Sequence, residues 1–146
     1  MDHCIVYLSS AVEPLEKADL SILLLQSRRD NIAANITGVL LYAHGSIIQA
    51  LEGNKAVVEG LYKRIEKDYR HKNVTLVLSR PITQRLFSSW AMGYETMTTH
   101  QLDEITTLMS LVKQKKSISE ATSDHIVLKL IRNFFKDTSY LMFHNS

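Results

Sequence analysis

A single cysteine, Cys4, rules out an intrachain disulfide, and nothing else in the chain suggests an oxidising compartment. No apolar run approaches the roughly 18 residues needed to span a bilayer, and no basic stretch precedes an apolar core at Met1-Asp2-His3. The expectation is therefore a cytoplasmic protein with no membrane segment. Only two prolines and five glycines punctuate the 146 residues, so a Pro- or Gly-rich linker is excluded, and there is no internal repeat or low-complexity tract. Charge of one sign is also scarce: 17 Lys and Arg against 15 Asp and Glu leave +2. The densest basic cluster, Lys113, Lys115 and Lys116, reads as a solvated turn rather than a phosphate track, so no nucleic-acid partner is expected.

Several chemistries are missing as well. Gly38, Gly45, Gly53, Gly60 and Gly93 form neither a dinucleotide fingerprint nor a P-loop. The six histidines show no i, i+4 pairing or Cys/His spacing, so no metal is expected. No Gly-x-Ser-x-Gly elbow occurs, and nothing nominates a nucleophile with a positioned base.

What is present is the patterning of one ordinary globular domain, 45% hydrophobic and 22% charged. A strand is expected over Cys4 to Ser9, with Ile5 and Tyr7 on one face, Cys4, Val6 and Leu8 on the other, and both faces at least partly covered. Asp19 is a suitable N-cap for a helix to about Asp30, carrying Leu20, Leu23, Leu24 and Ser27 on one stripe. Ile22 and Leu25 widen that stripe, which suits either a deeply buried helix or one that also lines an apolar ligand slot. Ile36 to Tyr42 and Ser46 to Leu51, joined by a turn through Ala43, His44 and Gly45, read as a hairpin. A second helix runs from near Asn54 to about Asp68 with Val57, Leu61 and Ile65 at four-residue steps. A strand over Val74 to Ser79, closed by Pro81, and another over Ser88 to Glu95 complete the order βαββαββ.

That order predicts an α+β, ferredoxin-like sheet, mainly antiparallel, with two helices on one face. Leu102, Ile105, Leu108, Met109 and Val112 mark a further helix, and Ile126, Val127, Leu130, Ile131 and Phe134 another. This pair is expected on the other sheet face, as an extension (98–146) of the domain formed by 1–97. An RNA-binding sheet of this fold needs aromatics on its central strands, and Ser46 to Leu51 supplies none.

Four features remain. They are Tyr7 in the first strand; Asn31 at the end of the first helix, five residues before Ile36-Thr37-Gly38; Gln49 followed by Leu51-Glu52-Gly53; and Trp90 with Met92. A strand tyrosine is most often core, a helix-end Asn a cap, and a Trp/Met pair packing. Gln49 is harder to dismiss, because an amide among Ile47, Ile48, Ala50 and Leu51 must find partners or suffer a burial penalty of roughly 1 to 3 kcal/mol.

Taken in order, the chain resembles the BLUF family, the blue-light sensors that use FAD, over about residues 3 to 95. The stretches that carry the resemblance are Val6-Tyr7-Leu8-Ser9-Ser10, Asn31 through Ile36-Thr37-Gly38, Gln49-Ala50-Leu51-Glu52-Gly53, Arg64-Ile65 with Asp68-Tyr69-Arg70-His71, and Arg85 through Gly93. The resemblance implies a flavin ring between the two helices, with FAD as the cofactor and FMN or riboflavin as alternatives. Tyr7 would donate an electron and a proton to the excited flavin. Gln49 would bridge the Tyr7 hydroxyl and the ring edge, and its rearrangement would add a donor at a ring carbonyl and shift absorption to the red. Asn31 would hold the ring's polar edge, Leu23 would pack on it, and Trp90 and Met92, on one face of the fifth strand, would relay the change. Arg64 and Asp68 match positions near the cofactor's tail, although at i, i+4 they could simply pair with each other.

Two positions depart from the family's pattern: Asp30 stands where many relatives carry a second Asn, and Ile47-Ile48 replaces an aromatic-containing pair. The implied protein is a stand-alone sensor, not an enzyme, that signals through a homo-oligomer or a downstream protein partner. A light-insensitive interaction domain and a small flavoprotein oxidoreductase are the competing readings.

Overall fold

A computed structural model describes residues 1–13, 15–114, 127–129 and 131–132. The chain divides into two units, Met1–Met97 and Thr98–Ser146.

In the first unit the elements are β1 (Asp2–Ala11), α1 (Lys17–Ala33), β2 (Thr37–Ala43), β3 (Ser46–Gly53), α2 (Lys55–Lys67), β4 (His71–Ile82) and β5 (Gly93–Thr96). They build one five-stranded sheet in the order β4-β1-β3-β2-β5. The first four strands pair antiparallel and β5 joins β2 in parallel, which is the expected ferredoxin-like sheet with one added edge strand. Strand alternation puts Ile5, Tyr7, Leu40, Ile47 and Leu51 in one buried cluster with Leu20 and Leu24 of α1 and Val58 of α2, so both helices cover the same face. The opposite face is buried too, at Cys4, Val6, Val39, Leu41, Ile48 and Ala50.

Local chemistry accounts for the joints. The β2–β3 hairpin turns on His44 (φ 47°) and Gly45 (φ 86°), the two positive-φ central residues that a type I′ turn requires. Helix α1 ends in a Schellman arrangement: the Asn35 N–H donates to Ile32 O and the Ile36 N–H to Asn31 O, while Asn35 takes the left-handed conformation at φ 54°. Asn54 caps α2 as its side chain accepts from the Ala56 and Val57 N–H groups. A Cβ at Gly38 would overlap the Ala50 carbonyl oxygen, so β2 enters the sheet where only glycine fits.

The elements depart from expectation most at α1, β4 and β5, and β1 also extends beyond residues 4–9 at both ends. Helix α1 starts at Lys17 with Glu16 in the cap position, so Asp19 is not the N-cap; it lies in the first turn, where its carboxylate still suits the helix dipole. Strand β4 does not close before Pro81 but runs to Ile82, because β4 is a sheet edge and a missing N–H is tolerated there. Two register shifts against β1, between Val6 and Tyr7 and between Leu8 and Ser10, bend this long strand. Strand β5 has four residues, not eight, because the backbone groups of 90–92 bond elsewhere. The Trp90 N–H donates to Phe87 O, the Gly38 N–H to Trp90 O, Asn31 Nδ2 to Ala91 O and Arg28 Nε to Met92 O. Trp90 and Met92 therefore lie in the run before β5, not on one face of it.

In the second unit, α3 (Thr99–Gln114) begins with a capping box: the Gln101 N–H donates to Thr98 Oγ1 and the Thr98 N–H to Gln101 Oε1. Ile105 is buried, whereas the side chains of Leu108, Met109 and Val112 lie outside the described residues. Of the second expected helix, 127–129 and 131–132 are helical with Val127 and Ile131 buried; Ile126, Leu130 and Phe134 lie outside the described residues. Among the described residues no helix is long and apolar enough to cross a membrane.

Candidate functional site

The site starts from a register. Tyr7 on β1 stands directly opposite Gln49 on β3, and both side chains point to the helix-covered face. The Tyr7 hydroxyl donates to Gln49 Oε1. Gln49 Nε2 in turn donates to the sulfur of Met92 at 3.4 Å. The order is dictated by chemistry: a thioether sulfur only accepts, so the amide NH2 must face Met92 and the carbonyl end must face the phenol. Tyr7 is fully buried, and that burial, reinforced by Tyr62 and Asp68, raises its hydroxyl above the ordinary value of 10.0. The group is thus held as a neutral phenol with its proton directed at the amide oxygen. The Tyr62 ring lies 5.6 Å from that of Tyr7, tilted by 57°.

Asn31, 4% exposed in the last turn of α1, donates from Nδ2 to Ala91 O at 2.6 Å. One helical turn earlier, Arg28 Nε donates to Met92 O at 2.9 Å. Helix α1 therefore grips the backbone on both sides of the Met92 side chain, which Gln49 touches.

Around this polar end opens a cavity of about 290 Å3, between the cavity-facing sides of α1 and α2, lined by Leu23, Leu40, Leu61 and Ile65 as well as Tyr7, Gln49, Asn31 and Met92. A second cavity of about 340 Å3 shares Leu23, Gln26, Arg70 and His71 with it and extends past Ile22 of α1 to Leu15, which precedes the helix. The two are lobes of one slot, with apolar walls and a few convergent polar groups, as small-molecule sites have. The helix stripe is explained by this: Leu20 and Leu24 are buried, while Ile22 is 57% exposed and lines the second lobe. Leu25, 69% exposed, lines neither.

The solvent side of the slot carries charge. Arg64 and Asp68 both line it, yet they do not pair. Asp68 is taken by Arg70 in a two-pronged contact, Nε to Oδ1 at 3.0 Å and the terminal nitrogen to Oδ2 at 2.7 Å, which holds its carboxyl down at about 2. His71 Nδ1 lies 3.0 Å from Ser9 Oγ, and burial pushes its imidazole below the ordinary value of 6.5.

Seven of the eight residues singled out in the sequence, Tyr7, Leu23, Asn31, Gln49, Arg64, Asp68 and Met92, line the same cavity. Trp90 does not; it is half-buried and stacks at 6.4 Å on Phe87. Of the departures, Asp30 lines the slot beside Asn31, and Ile47 lines its second lobe, but Ile48 faces the other side of the sheet. Arg28, Gln26 and Tyr62 were not singled out. Gln26 follows Leu23 by three residues and so shares its face of α1, a signal the helical period carried; Arg28 and Tyr62 act through contacts no spacing announces. Among the described residues no group of three or more His, Cys, Asp or Glu side chains is placed to hold a metal ion.

Fold and site together define a ferredoxin-like domain with a ligand slot whose inner end is a tyrosine–glutamine hydrogen bond. The sequence pattern of the BLUF family, described as sensors of blue-light using FAD, matches residues 3–93, and the chain belongs to that family. It is thus a blue-light sensor of the flavin-binding kind. The chain is 39% identical over 93 residues to the beta subunit of photoactivated adenylate cyclase from Euglena gracilis and 40% identical over 85 residues to the alpha subunit. Those matches cover 63% and 58% of this chain but only 11% and 8% of the subunits, so the chain spans about a tenth of the curated relatives it matches. Among solved structures, the photo-activated state of BlsA superposes with a TM-score of 0.67 at 29% identity, over 89% of this chain and 94% of that one. The dark state of the BLUF protein BlrB superposes with a TM-score of 0.67 at 25% identity, over 90% and 96%. A bacterial light-regulated adenylyl cyclase matches at 33% identity with a TM-score of 0.64, over 88% of this chain and 36% of that one.

Proposed function

We propose that this chain is a light switch run by Tyr7 and Gln49, with FAD as its flavin and FMN or riboflavin able to fill the same slot. The observation that carries the reading is the chain of contacts from the Tyr7 hydroxyl through the Gln49 amide to Met92, buried at the inner end of an apolar slot. The residues fit the group. Leu23, Leu40, Leu61 and Ile65 suit a flat heteroaromatic ring, Tyr7, Gln49 and Asn31 suit its polar edge, and exposed Arg64 suits a phosphate on its tail.

When bound, the flavin supplies the blue-light absorption and an excited ring that takes an electron and a proton. Tyr7 is suited to give both, since its phenol is neutral, buried and already directs its proton along a hydrogen bond. With that proton gone, the phenolic oxygen can only accept, and the Gln49 carbonyl end loses its donor. The amide then gains by presenting its NH2 to Tyr7, which withdraws it from the Met92 sulfur. When the proton returns, the rearranged amide keeps the record of the event. Asn31 and Leu23 position the ring, and Met92, rather than Trp90, stands next to the switch.

The chain senses and does not itself turn over a substrate. Its output passes through residues 98–146 to a second copy or to a downstream protein partner. The decisive measurement is the absorption spectrum of the purified, flavin-loaded protein in the dark and under blue light. A reversible red shift supports the reading. Superimposable spectra with no transient change refute it; dark, substrate-dependent bleaching would instead mark an oxidoreductase, and failure to take up any flavin would mark a simple interaction domain.

A further inference from the structure

Outside the slot, one buried acid has no part in the scheme above. Glu52, 1% exposed, lies on β3 three residues beyond Gln49 and so points to the opposite face of the sheet. Its carboxylate accepts the Leu86 N–H on Oε2 at 2.7 Å, the Phe87 N–H on Oε1 at 2.8 Å, and the Thr37 hydroxyl on Oε1 at 3.4 Å. Arg85, next along the chain, donates to Asp2 at 2.7 Å and reaches Thr37 Oγ1 at 3.4 Å. Burial raises the Glu52 carboxyl above its ordinary 4.5, while the Leu86, Phe87 and Thr37 hydrogen bonds and the Arg85 charge pull against that rise. Burying a carboxylate is costly unless it is fully bonded, and here consecutive backbone amides of an irregular run supply the bonds.

That run, 86–92, ends at Met92. Along it the Trp90 N–H returns to Phe87 O at 3.1 Å, Trp90 O accepts from Gly38 at 2.9 Å, and Ala91 O accepts from Asn31. One strand therefore holds both ends of the run, Gln49 from the slot face and Glu52 from the other.

We infer that Glu52 is a positioning residue of the photoswitch: it anchors the start of the 86–92 run, so that a rearrangement of Gln49 at the Met92 end is carried across the sheet to its opposite face. The inference rests on Gln49 being the switch. Without the anchor, the run would relax locally around Met92 and the motion would stop there.

Glu52→Gln tests it. The side chain keeps its shape, but an NH2 now meets a backbone N–H, so one of the two main-chain bonds is lost. The loaded variant is expected to keep the red shift, because Tyr7, Gln49 and the slot are untouched. Its dark recovery should change by about fivefold, the effect of one hydrogen bond made in only one state. Its light-minus-dark infrared bands from the backbone should shrink to less than half. In the flavin-free protein, hydrogen exchange at Leu86 and Phe87 should be faster in the variant than in the wild type. In the loaded wild type, illumination should change exchange at these same two amides.

Full-size backbone bands with unaltered recovery in the variant would overturn the inference. If the variant does not fold, the wild-type exchange decides: identical protection of Leu86 and Phe87 in light and dark overturns it, and a light-dependent change upholds it. A wild type with no red shift at all would instead bring down the switch reading on which the inference rests.

Discussion

Tyr7 and Gln49 are cross-strand neighbours whose side chains bond to each other on the one sheet face that the helices cover, and both are buried. In a buried pair, the loss of one partner leaves the other without its bond, so substitutions here read on stability as well as on light response.

Tyr7→Phe removes the hydroxyl and preserves the ring. The variant should still bind flavin, since the aromatic packing against Tyr62 survives, but should show no normal reversible red shift. Its melting midpoint should drop by an amount equivalent to about 1 to 3 kcal/mol, because Gln49 Oε1 loses its donor in a buried place. A wild-type photocycle in this variant would refute the role of the phenol.

Gln49→Leu takes away both ends of the amide while filling a similar volume. The protein should fold and turn yellow with flavin, yet give no light-induced shift. If blue light still moves the absorption band as in the wild type, the amide is not the switch.

Met92 and Trp90 separate cleanly. Met92→Leu conserves volume, so the stability loss should stay below about 1.5 kcal/mol, but the sulfur that accepts from Gln49 Nε2 is gone. The dark absorption maximum and the recovery rate should both change. Trp90→Phe, off the slot and against Phe87, should leave the dark flavin spectrum as it is. Spectra of the two variants side by side check the assignment, and equal effects would contradict it.

Arg64→Ala should weaken binding of a flavin that carries phosphate by roughly tenfold, on the scale of one charge-assisted contact, and leave riboflavin binding nearly unchanged. Titrating the flavin-free protein with FMN and riboflavin distinguishes a phosphate contact from general loss of the slot.

His71 makes stability depend on pH in a defined direction. Burial outweighs the attraction of Asp68, so the folded imidazole holds its proton less well than the unfolded one, whose value is 6.5. The unfolded chain therefore binds more protons below that value, and stability falls as pH drops through 6.5 until the folded imidazole is charged too; above 6.5 the contribution is complete. His3, lowered by burial as well, adds in the same sense. Melting curves between about pH 5 and 7 should show a shallower slope for His71→Gln than for the wild type, and parallel slopes would contradict this.

The sequence by itself determined the order of strands and helices, the hairpin turn at His44-Gly45, and the two faces of β1, because period and turn chemistry are local properties written residue by residue. It also brought Gln49 into view, since an amide set among apolar neighbours is visible without coordinates, whereas Tyr7 and Asn31 stood out only through the resemblance to the BLUF family. The competition for partners was decided only by the tertiary structure. Asp68 joins Arg70 rather than Arg64, Met92 meets Gln49 while Trp90 turns to Phe87, and β5 shrinks to four residues as the backbone before it bonds to Gly38, Asn31 and Arg28. Each of those outcomes depends on which donor reaches which acceptor first in space, and groups far apart along the chain meet only once the sheet has set their distance.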